Sequence, residues 1–468
     1  MRYISTRGSA PVLGFNEILL TGLARDGGLY VPEAWPEFTA ADIRGLKGLG
    51  YAEVACRVML PFVEDDIDAA TFSDMVTATY RNFDHEAVAP LKQLGANEWL
   101  MELFHGPTLA FKDYAMQLLG NLFDHVLSAR GERATVICAT SGDTGSAAIE
   151  ACRDHAAIDI FVLHPKGRVS EVQRRQMTTV AAANVHNIAI EGTFDDCQAL
   201  VKALFNDANF RDEVRLTGVN SINWARILGQ VVYYFVAAAE LGAPDQRIAF
   251  SVPTGNFGNI YAGYAARCMG LGIDHLVLVT NRNDILARCL ETGTLKTGKV
   301  QPTLSPSMDI QVASNFERYL FELYRRDASR LAQQMTAFHD TGEISLAEGL
   351  LEEAHKIFDG HRLDDDETLE TIAAVHRECA ELLDPHSAVG VAGGRAHRRD
   401  PSVPMVSLAT AHPAKFPEAV ERATGINPPL PACLQGLYDR PEQFETLAYD
   451  VAAVRGFVRE HAFEKRVA

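Results

Sequence analysis

The chain has 468 residues, enough for about three domains of ordinary size or for one large α/β body with appendages. Hydrophobic residues make up 47% and charged residues 22%, which excludes a disordered, collagen-like or disulfide-scaffold chain. The 61 acidic residues outnumber the 43 basic ones, so we expect no nucleic-acid partner, and any anionic ligand must be held locally.

Cysteine spacing and hydropathy predict a cytoplasmic protein without a membrane partner. The eight cysteines are scattered singly, with no CxxC pair and no metal-finger spacing, so we expect reduced thiols and no metal site. The first residues, MRYISTRGSAPVLGF, lack the basic and then apolar pattern of a secretory signal. The longest apolar run, residues 231–239, is well short of the roughly 20 residues that span a bilayer.

The order of predicted elements indicates an α/β protein. Residues 1–95 alternate short helical patterns with Gly and Pro, which predicts a mostly helical leading domain. From residue 98 onward, short Val- and Ile-rich strands alternate with helices, as in parallel sheets that are covered on both faces. Residues 282–366 are predicted to be mainly helical, and the tail from residue 426 to end in a helix. Strands are predicted at 134–139, 158–163, 185–190, 247–252, 275–280 and 403–408.

Two of these strands lead into glycine-rich turns, TSGDTGSA at 140–147 and PTGNFGN at 253–259. Free amides at a helix N-terminus favour anions, so two such turns predict two bound anions. Neither a Walker lysine nor a GxGxxG pattern is present, which argues against a nucleotide site. An ordinary capped turn remains an alternative for both. The second is more specific, because its glycines allow close approach and its asparagines add side-chain donors.

Lys112 is the candidate nucleophile. It lies in the apolar stretch LFHGPTLAFKDYAMQLLG, residues 103–120, at the predicted start of a helix. Apolar surroundings lower the pKa of an amine and make it reactive, although a lysine covering a helix face with its alkyl chain is the ordinary alternative. His105, Thr108 and Asp113 either support this chemistry or simply fix their loop.

An ordered set of motifs covers nearly the whole chain: YISTRG, ARDGGLYVP, HGPTLAFKD, ATSGDTGSAA, HPKGRVSEVQRRQM, NSINWARILGQ, TGNFGN, SPSMDIQVASNFER and LATAHPAKFPEA. In this order the motifs resemble the threonine synthases of the bacterial and fungal type, pyridoxal-phosphate enzymes of the tryptophan synthase β-like fold. The resemblance implies that Lys112 carries the cofactor covalently and that Thr410 binds its pyridine nitrogen. A hydroxyl partner makes the ring a weaker electron sink than a carboxylate would. The implied cofactor-phosphate loop is Gly255, Asn256, Phe257, Gly258 and Asn259.

The same resemblance implies the reaction, in which O-phospho-L-homoserine and water give L-threonine and phosphate by γ-elimination and β-addition of water. The α-carboxylate of the substrate would bind the loop formed by Ser141, Gly142, Asp143, Thr144 and Gly145. Four basic residues are candidates for binding the substrate phosphate: Arg226, Lys166, Arg168 and Lys415. The alternative for each is an ordinary surface cation that is solvated by water.

We expect the helical domain at 1–95, a large cofactor domain at 96–125 and 216–425, an inserted smaller α/β domain at 126–215, and a helical tail at 426–468. Substrate binding between the two α/β domains would close the cleft. The expected assembly is a monomer or homodimer. A deaminase or cysteine synthase of the same fold would lack the segments 305–318 and 410–416. A non-catalytic binding protein is the more distant alternative.

Overall fold

A computed structural model of the protein describes residues 1–463. The strands are β1 (Tyr3–Ser5), β2 (Tyr30–Pro32), β3 (Leu91–Gly95), β4 (Glu98–Glu102), β5 (Ala134–Ala139), β6 (Ile158–Pro165), β7 (Val185–Glu191), β8 (Leu216–Thr217), β9 (Ile248–Pro253), β10 (Ile273–Thr280), β11 (Thr294–Lys296), β12 (Glu343–Ser345), β13 (Phe358–Arg362), β14 (Met405–Ala409) and β15 (Glu445–Ala448). The helices are α1 (Phe15–Thr21), α2 (Ala40–Arg44), α3 (Tyr51–Val63), α4 (Ala69–Tyr80), α5 (Lys112–Arg130), α6 (Asp143–Cys152), α7 (Glu171–Thr178), α8 (Phe194–Asn206), α9 (Ala208–Glu213), α10 (Trp224–Glu240), α11 (Gly258–Cys268), α12 (Ile285–Thr292), α13 (Phe316–Leu323), α14 (Ala328–Thr341), α15 (Glu348–His355), α16 (Asp365–Cys379), α17 (Pro385–Ala396), α18 (Pro417–Thr424) and α19 (Val451–His461).

The leading segment is mostly helical, as its sequence predicts. Helix α4 begins after Asp68, whose carboxylate accepts hydrogen bonds from the amides of Ala70 and Thr71. Helix α3 packs against α4 and α10, so this segment is joined to the main core. The sequence did not predict the small antiparallel ribbon of β1 and β2, because three-residue strands are too short to show a period.

A six-stranded sheet, in the order β13-β10-β9-β14-β4-β3, forms the centre of the larger α/β region. All neighbouring pairs are parallel except β3 and β4. Helices α5, α10 and α11 cover one face, while α17, backed by α16, covers the other. Strand β9 is buried along its whole length, which explains why its sequence, IAFSVP, is apolar apart from Ser251.

A five-stranded parallel sheet, in the order β15-β7-β6-β5-β8, forms the smaller α/β region. Alternate residues of its strands pack against α6 on one face and against α8 and α19 on the other. The predicted class, α/β with two open sheets and a mostly helical N-terminal segment, is therefore confirmed. The predicted helical tail needs correction, because it also supplies β15 to this sheet. Its residues 464–468 lie outside the described part of the chain.

Both glycine-rich turns follow the carboxyl ends of sheet strands, where ligands bind in open α/β folds. Helix α6 starts after β5, and α11 starts after β9. The end of β14 lies beside the start of α5, since the amide of Phe111 donates to the carbonyl of Thr410 at 2.9 Å. Across residues 1–463, no helix combines the length and apolarity needed to cross a bilayer.

Candidate active site

A cavity of about 210 Å³ lies where the two glycine-rich turns and the start of α5 meet. The short 3₁₀ helix Pro306–Met308 and the start of α17 also line this cavity. The fold thus brings together residues that are up to about 300 positions apart in the chain. Of the predicted site residues, the cavity is lined by Lys112, Ser141, Asp143, Thr144, Arg226, Gly255, Asn256, Phe257, Gly258, Asn259 and Thr410.

Lys112 is the first residue of α5, and its side chain is buried. Its Nζ lies 3.2 Å from Asp143 Oδ2 and 3.2 Å from Ser307 Oγ. Burial lowers the pKa of this amine, and the negative charge of Asp143 opposes that shift. The structure therefore places at the cavity wall an amine that loses its proton more readily than an exposed lysine.

Asp143 connects the smaller α/β region with the larger one. Its Oδ1 is 2.8 Å from Lys415 Nζ and accepts a 2.8 Å hydrogen bond from Gln173, while its Oδ2 faces Lys112. Burial alone would raise the pKa of Asp143, but the charges of Lys112 and Lys415 hold it well below its usual range. An ionised carboxylate is therefore fixed between two lysines.

The turn before α11 is shaped to hold an anion. Phe257 has the left-handed φ of 63°, and α11 begins at the next residue, so its first amides have no partner within the helix. A Cβ on Gly255 would lie 2.8 Å from the Ser307 carbonyl oxygen, so this position has no room for a side chain. Such a backbone concavity at a helix N-terminus suits a phosphate group.

Asn259 gives a second indication of an anion at the same turn. Its Oδ1 accepts hydrogen bonds from the hydroxyls of Tyr233 at 2.6 Å and Tyr234 at 3.0 Å. These bonds fix the amide orientation, and within residues 1–463 the buried Nδ2 finds no acceptor. A buried donor without a partner is unfavourable, so an acceptor bound in the cavity would satisfy it.

The residues of the 140–147 turn have two roles: some line the cavity, and its glycines shape the turn. Ser141, Asp143 and Thr144 line the cavity, whereas Gly142 and Gly145 do not. The amides of these two glycines already donate to the Thr140 hydroxyl, at 2.9 and 2.8 Å. A Cβ at Gly142 would lie 2.5 Å from the Gln173 side chain, so these glycines shape the turn.

Among the basic candidates, Arg226 is the one that lines the cavity. It is 3% exposed, its Nη1 donates to the Val219 carbonyl at 3.0 Å, and its Nε has no acceptor in the described chain. Burial lowers the pKa of its guanidinium to about 10. Lys166 and Arg168 are exposed and lie outside the cavity lining. The interpretation of Lys415 as a phosphate ligand is not supported, since its ammonium is already bound to Asp143.

The residues around the FKD motif fix their loop. Thr108 donates to Asp113 through its amide at 2.8 Å and through its hydroxyl at 2.6 Å. Burial raises the pKa of Asp113 to about 6, and these hydrogen bonds oppose the shift. His105 pairs with Glu102 at 2.7 Å. His105, Thr108 and Asp113 do not line the cavity, which favours their structural interpretation.

Sequence reasoning missed Ser307 and His386, which both line the cavity. His386 belongs to the segment DPHS, in which Asp384 is the N-cap of α17 and proline follows it. Asp followed by Pro marks a helix start, but it says nothing about a contact with a cavity.

Three family models match the chain in order: "Threonine synthase N terminus" at residues 2–80, "Pyridoxal-phosphate dependent enzyme" at 83–357 and "Threonine synthase, C-terminal" at 387–458. The threonine synthase of Pseudomonas aeruginosa is 57% identical over 462 residues, covering 98% of each chain. The crystal structure of PLP-bound threonine synthase from Brucella melitensis has a TM-score of 0.97 at 55% identity, covering 99% of this chain and 100% of that one. The yeast threonine synthase structure has a TM-score of 0.93 at 38% identity, covering 98% of both. The chain therefore belongs to the threonine synthase family of pyridoxal-phosphate-dependent enzymes.

Proposed function

We propose that this member of the threonine synthase family converts O-phospho-L-homoserine and water into L-threonine and phosphate. The observation that carries the proposal is one cavity that combines a buried amine of lowered pKa, an anion-binding turn and an arginine with an unsatisfied donor. Such a site suits a reaction in which both the cofactor and the substrate carry phosphate. The known relatives support the same activity by their names.

The cofactor, pyridoxal phosphate, supplies an electron sink when it is bound. We assign its phosphate to residues 255–259, because Asn259 Nδ2 and the first amides of α11 need an acceptor there. Thr410, at the end of β14, is assigned to the pyridine nitrogen, and Lys112 to the covalent attachment. Among the described residues that line the cavity, Lys112 carries the only amine. It is therefore the group proposed to move protons during the reaction.

The two anionic groups of the substrate are assigned to different parts of the cavity lining. The α-carboxylate is proposed to bind the 141–145 turn through the first turn of α6 and the side chains of Ser141 and Thr144, which line the cavity. The carboxylate of Asp143 would repel a second carboxylate, so its proposed part is to orient the turn. The phosphate is assigned to Arg226, whose buried guanidinium has no carboxylate partner in the described chain.

The first experiment measures products. Purified protein loaded with pyridoxal phosphate is incubated with O-phospho-L-homoserine, and phosphate and threonine are quantified. Equal amounts of both support the proposal. Release of 2-oxobutanoate and ammonia from L-threonine, with no phosphate release from O-phospho-L-homoserine, would identify a deaminase of the same fold, and no turnover of either compound would favour a binding protein.

Variants then test the residue assignments. Lys112→Ala should remove both the absorbance of the bound cofactor and turnover, whereas Lys166→Ala, an exposed lysine outside the cavity, should change neither. Arg226→Gln should raise KM by about tenfold or more, as expected for a lost hydrogen bond to a charged group. Arg168→Gln is its exposed control. An unchanged KM in Arg226→Gln contradicts the phosphate assignment.

A cytoplasmic location and a monomeric or homodimeric state belong to the same proposal. All eight cysteines are free thiols, four of them buried and four partly buried, which suits a reducing compartment. Light scattering of the purified enzyme measures its assembly state.

A further inference from the structure

Hydrogen bonds through His386 and Ser387 connect one buried carboxylate, Asp384, with two other segments that carry cavity residues. Its Oδ1 accepts hydrogen bonds from the amide of His386 at 2.9 Å and lies 2.7 Å from His386 Nδ1. Its Oδ2 accepts from the amide of Ser387 at 3.1 Å and from the Ser387 hydroxyl. Asp384 is fully buried, so its lone pairs are satisfied by these two neighbours alone among the described residues.

From Asp384, one hydrogen-bond chain leads to Ser307. The amide of Ser307 donates to His386 Nε2 at 3.2 Å. Because Nε2 accepts, the ring proton is on Nδ1, where it donates to Asp384. The tautomer of His386 is thus set by Asp384, and only this tautomer offers an acceptor to the Ser307 amide.

The Ser307 hydroxyl closes a triangle with Lys112 and Asp143. It donates to Asp143 Oδ2 at 3.0 Å and accepts from Lys112 Nζ at 3.2 Å. The third distance, between Lys112 Nζ and Asp143 Oδ2, is also 3.2 Å. The Ser307 carbonyl lies against Gly255 in the anion-binding turn. A displacement of Ser307 would therefore disturb both the amine and that turn.

A second chain from Asp384 leads to Thr410. The Ser387 hydroxyl, which donates to Asp384, accepts a 3.1 Å hydrogen bond from the Thr410 amide. Thr410 is the residue assigned above to the pyridine nitrogen. One carboxylate therefore fixes the backbone of both Ser307 and Thr410, through His386 and Ser387 respectively.

We propose that Asp384, His386 and Ser387 form a positioning unit, in which His386 holds the Ser307 hydroxyl against the free amine of Lys112 and Ser387 holds Thr410. Ser307 aligns the amine whenever Lys112 is not attached to the cofactor, both before cofactor binding and during turnover. The effect on turnover rests on the proposed function. The effect on the rate at which Lys112 attaches to the cofactor requires only that the protein binds pyridoxal phosphate.

The two amide analogues of histidine separate this role from simple packing. In His386→Gln, the amide oxygen can reach the position of Nε2 and accept from Ser307. In His386→Asn, the amide can bind Asp384 but is too short to reach Ser307. The proposal predicts that His386→Asn lowers kcat by about 10- to 100-fold, as expected for a misplacement of about 1 Å, with little change in KM, and that His386→Gln restores most of the loss.

Asp384→Asn tests the control of the tautomer. Asparagine caps helices as well as aspartate, so α17 should remain folded. Its single oxygen can accept either from His386 Nδ1 or from Ser387, and its NH₂ group then faces the other set of donors, so one of the two hydrogen-bond chains is broken. We expect a loss at least as large as in His386→Asn. Asp327→Asn, the same change at the N-cap of α14 and outside the cavity lining, is the matched control.

The second readout does not require the substrate. Apoprotein is mixed with pyridoxal phosphate, and covalent attachment to Lys112 is followed over time by borohydride trapping and peptide mass measurement. His386→Asn and Ser307→Ala should attach the cofactor about tenfold more slowly than wild type, and His386→Gln should recover. Equal rates and equal kcat in His386→Asn and His386→Gln would overturn the proposal. Wild-type attachment without threonine formation would refute the proposed function instead.

Discussion

Lys415→Met tests the buried ion pair with Asp143 most directly. Lys415 is completely buried, and its Nζ lies 2.8 Å from Asp143 Oδ1 and 2.7 Å from the Thr108 carbonyl. Methionine keeps most of the volume but removes the charge and the donors. Asp143 and the Thr108 carbonyl would then lose a partner while remaining buried.

The expected loss of stability follows from the geometry. Removing one partner of a buried ion pair costs about 3–5 kcal/mol, because the other charge stays buried. Lys112 at 3.2 Å and Gln173 at 2.8 Å still face Asp143 in the apoprotein, so we expect the lower end, about 3 kcal/mol. Adding Asp143→Asn removes the stranded charge and should restore most of this loss.

The assay is denaturant unfolding of the apoprotein, followed by tryptophan fluorescence and far-UV circular dichroism. Coincident transitions allow a free energy of unfolding to be extracted. Lys166→Met, at an exposed ion pair with Glu191, should stay within about 0.5 kcal/mol of wild type. A loss below about 1 kcal/mol in Lys415→Met, or no recovery in the double variant, would refute the reasoning.

Two further changes test the anion-binding turn and the acid sensitivity of the fold. Gly255→Ala places a Cβ 2.8 Å from the Ser307 carbonyl oxygen, so pyridoxal phosphate should bind about tenfold or more weakly in a fluorescence titration, while Gly349→Ala, with open space around it, should bind normally. Burial lowers the pKa of His412 to about 4, so between this value and about 6.5 the unfolded chain binds a proton that the native state does not. Stability should therefore fall as the pH drops through this window, by about 2 kcal/mol at pH 5, and His412→Asn should reduce the difference in unfolding free energy between pH 7 and pH 5. An unchanged difference would show that other groups cause the acid sensitivity.

The sequence predicts those strands that are buried on both faces. Strand β5 was predicted with its observed bounds because its residues, ATVICA, form one short run that is apolar apart from Thr135. Strands β13 and β15 were missed, since FDGHR and ETLA are polar segments at sheet edges. Their pairing depends on the neighbouring strand, which local periodicity does not show.

In the candidate active site too, the sequence predicts residues with a local signal but not contacts between distant segments. Lys112 and both glycine-rich turns carry local signals, namely an apolar context and glycines between a strand and a helix. The contact between Ser307 and His386 joins residues that are 79 positions apart, and nothing in either segment indicates the other. Lys415 was one of the four candidates for the substrate phosphate, because a sequence shows a charge but not its partner. Only the fold shows that this charge is already neutralised.

The ion pair of Asp143 and Lys415 raises the question of why the chain places charges in its interior. A buried ion pair is no more stabilising than well-packed apolar side chains of similar volume, so stability alone does not explain it. The pair does fix the 141–145 turn of the smaller α/β region against Lys112 of the larger one, because Asp143 contacts both lysines. The double variant with Asp143→Asn and Lys415→Met separates these roles. If the pair serves position, this variant regains stability but keeps a kcat about 10- to 100-fold below wild type, whereas full recovery of kcat would show that the charges are replaceable.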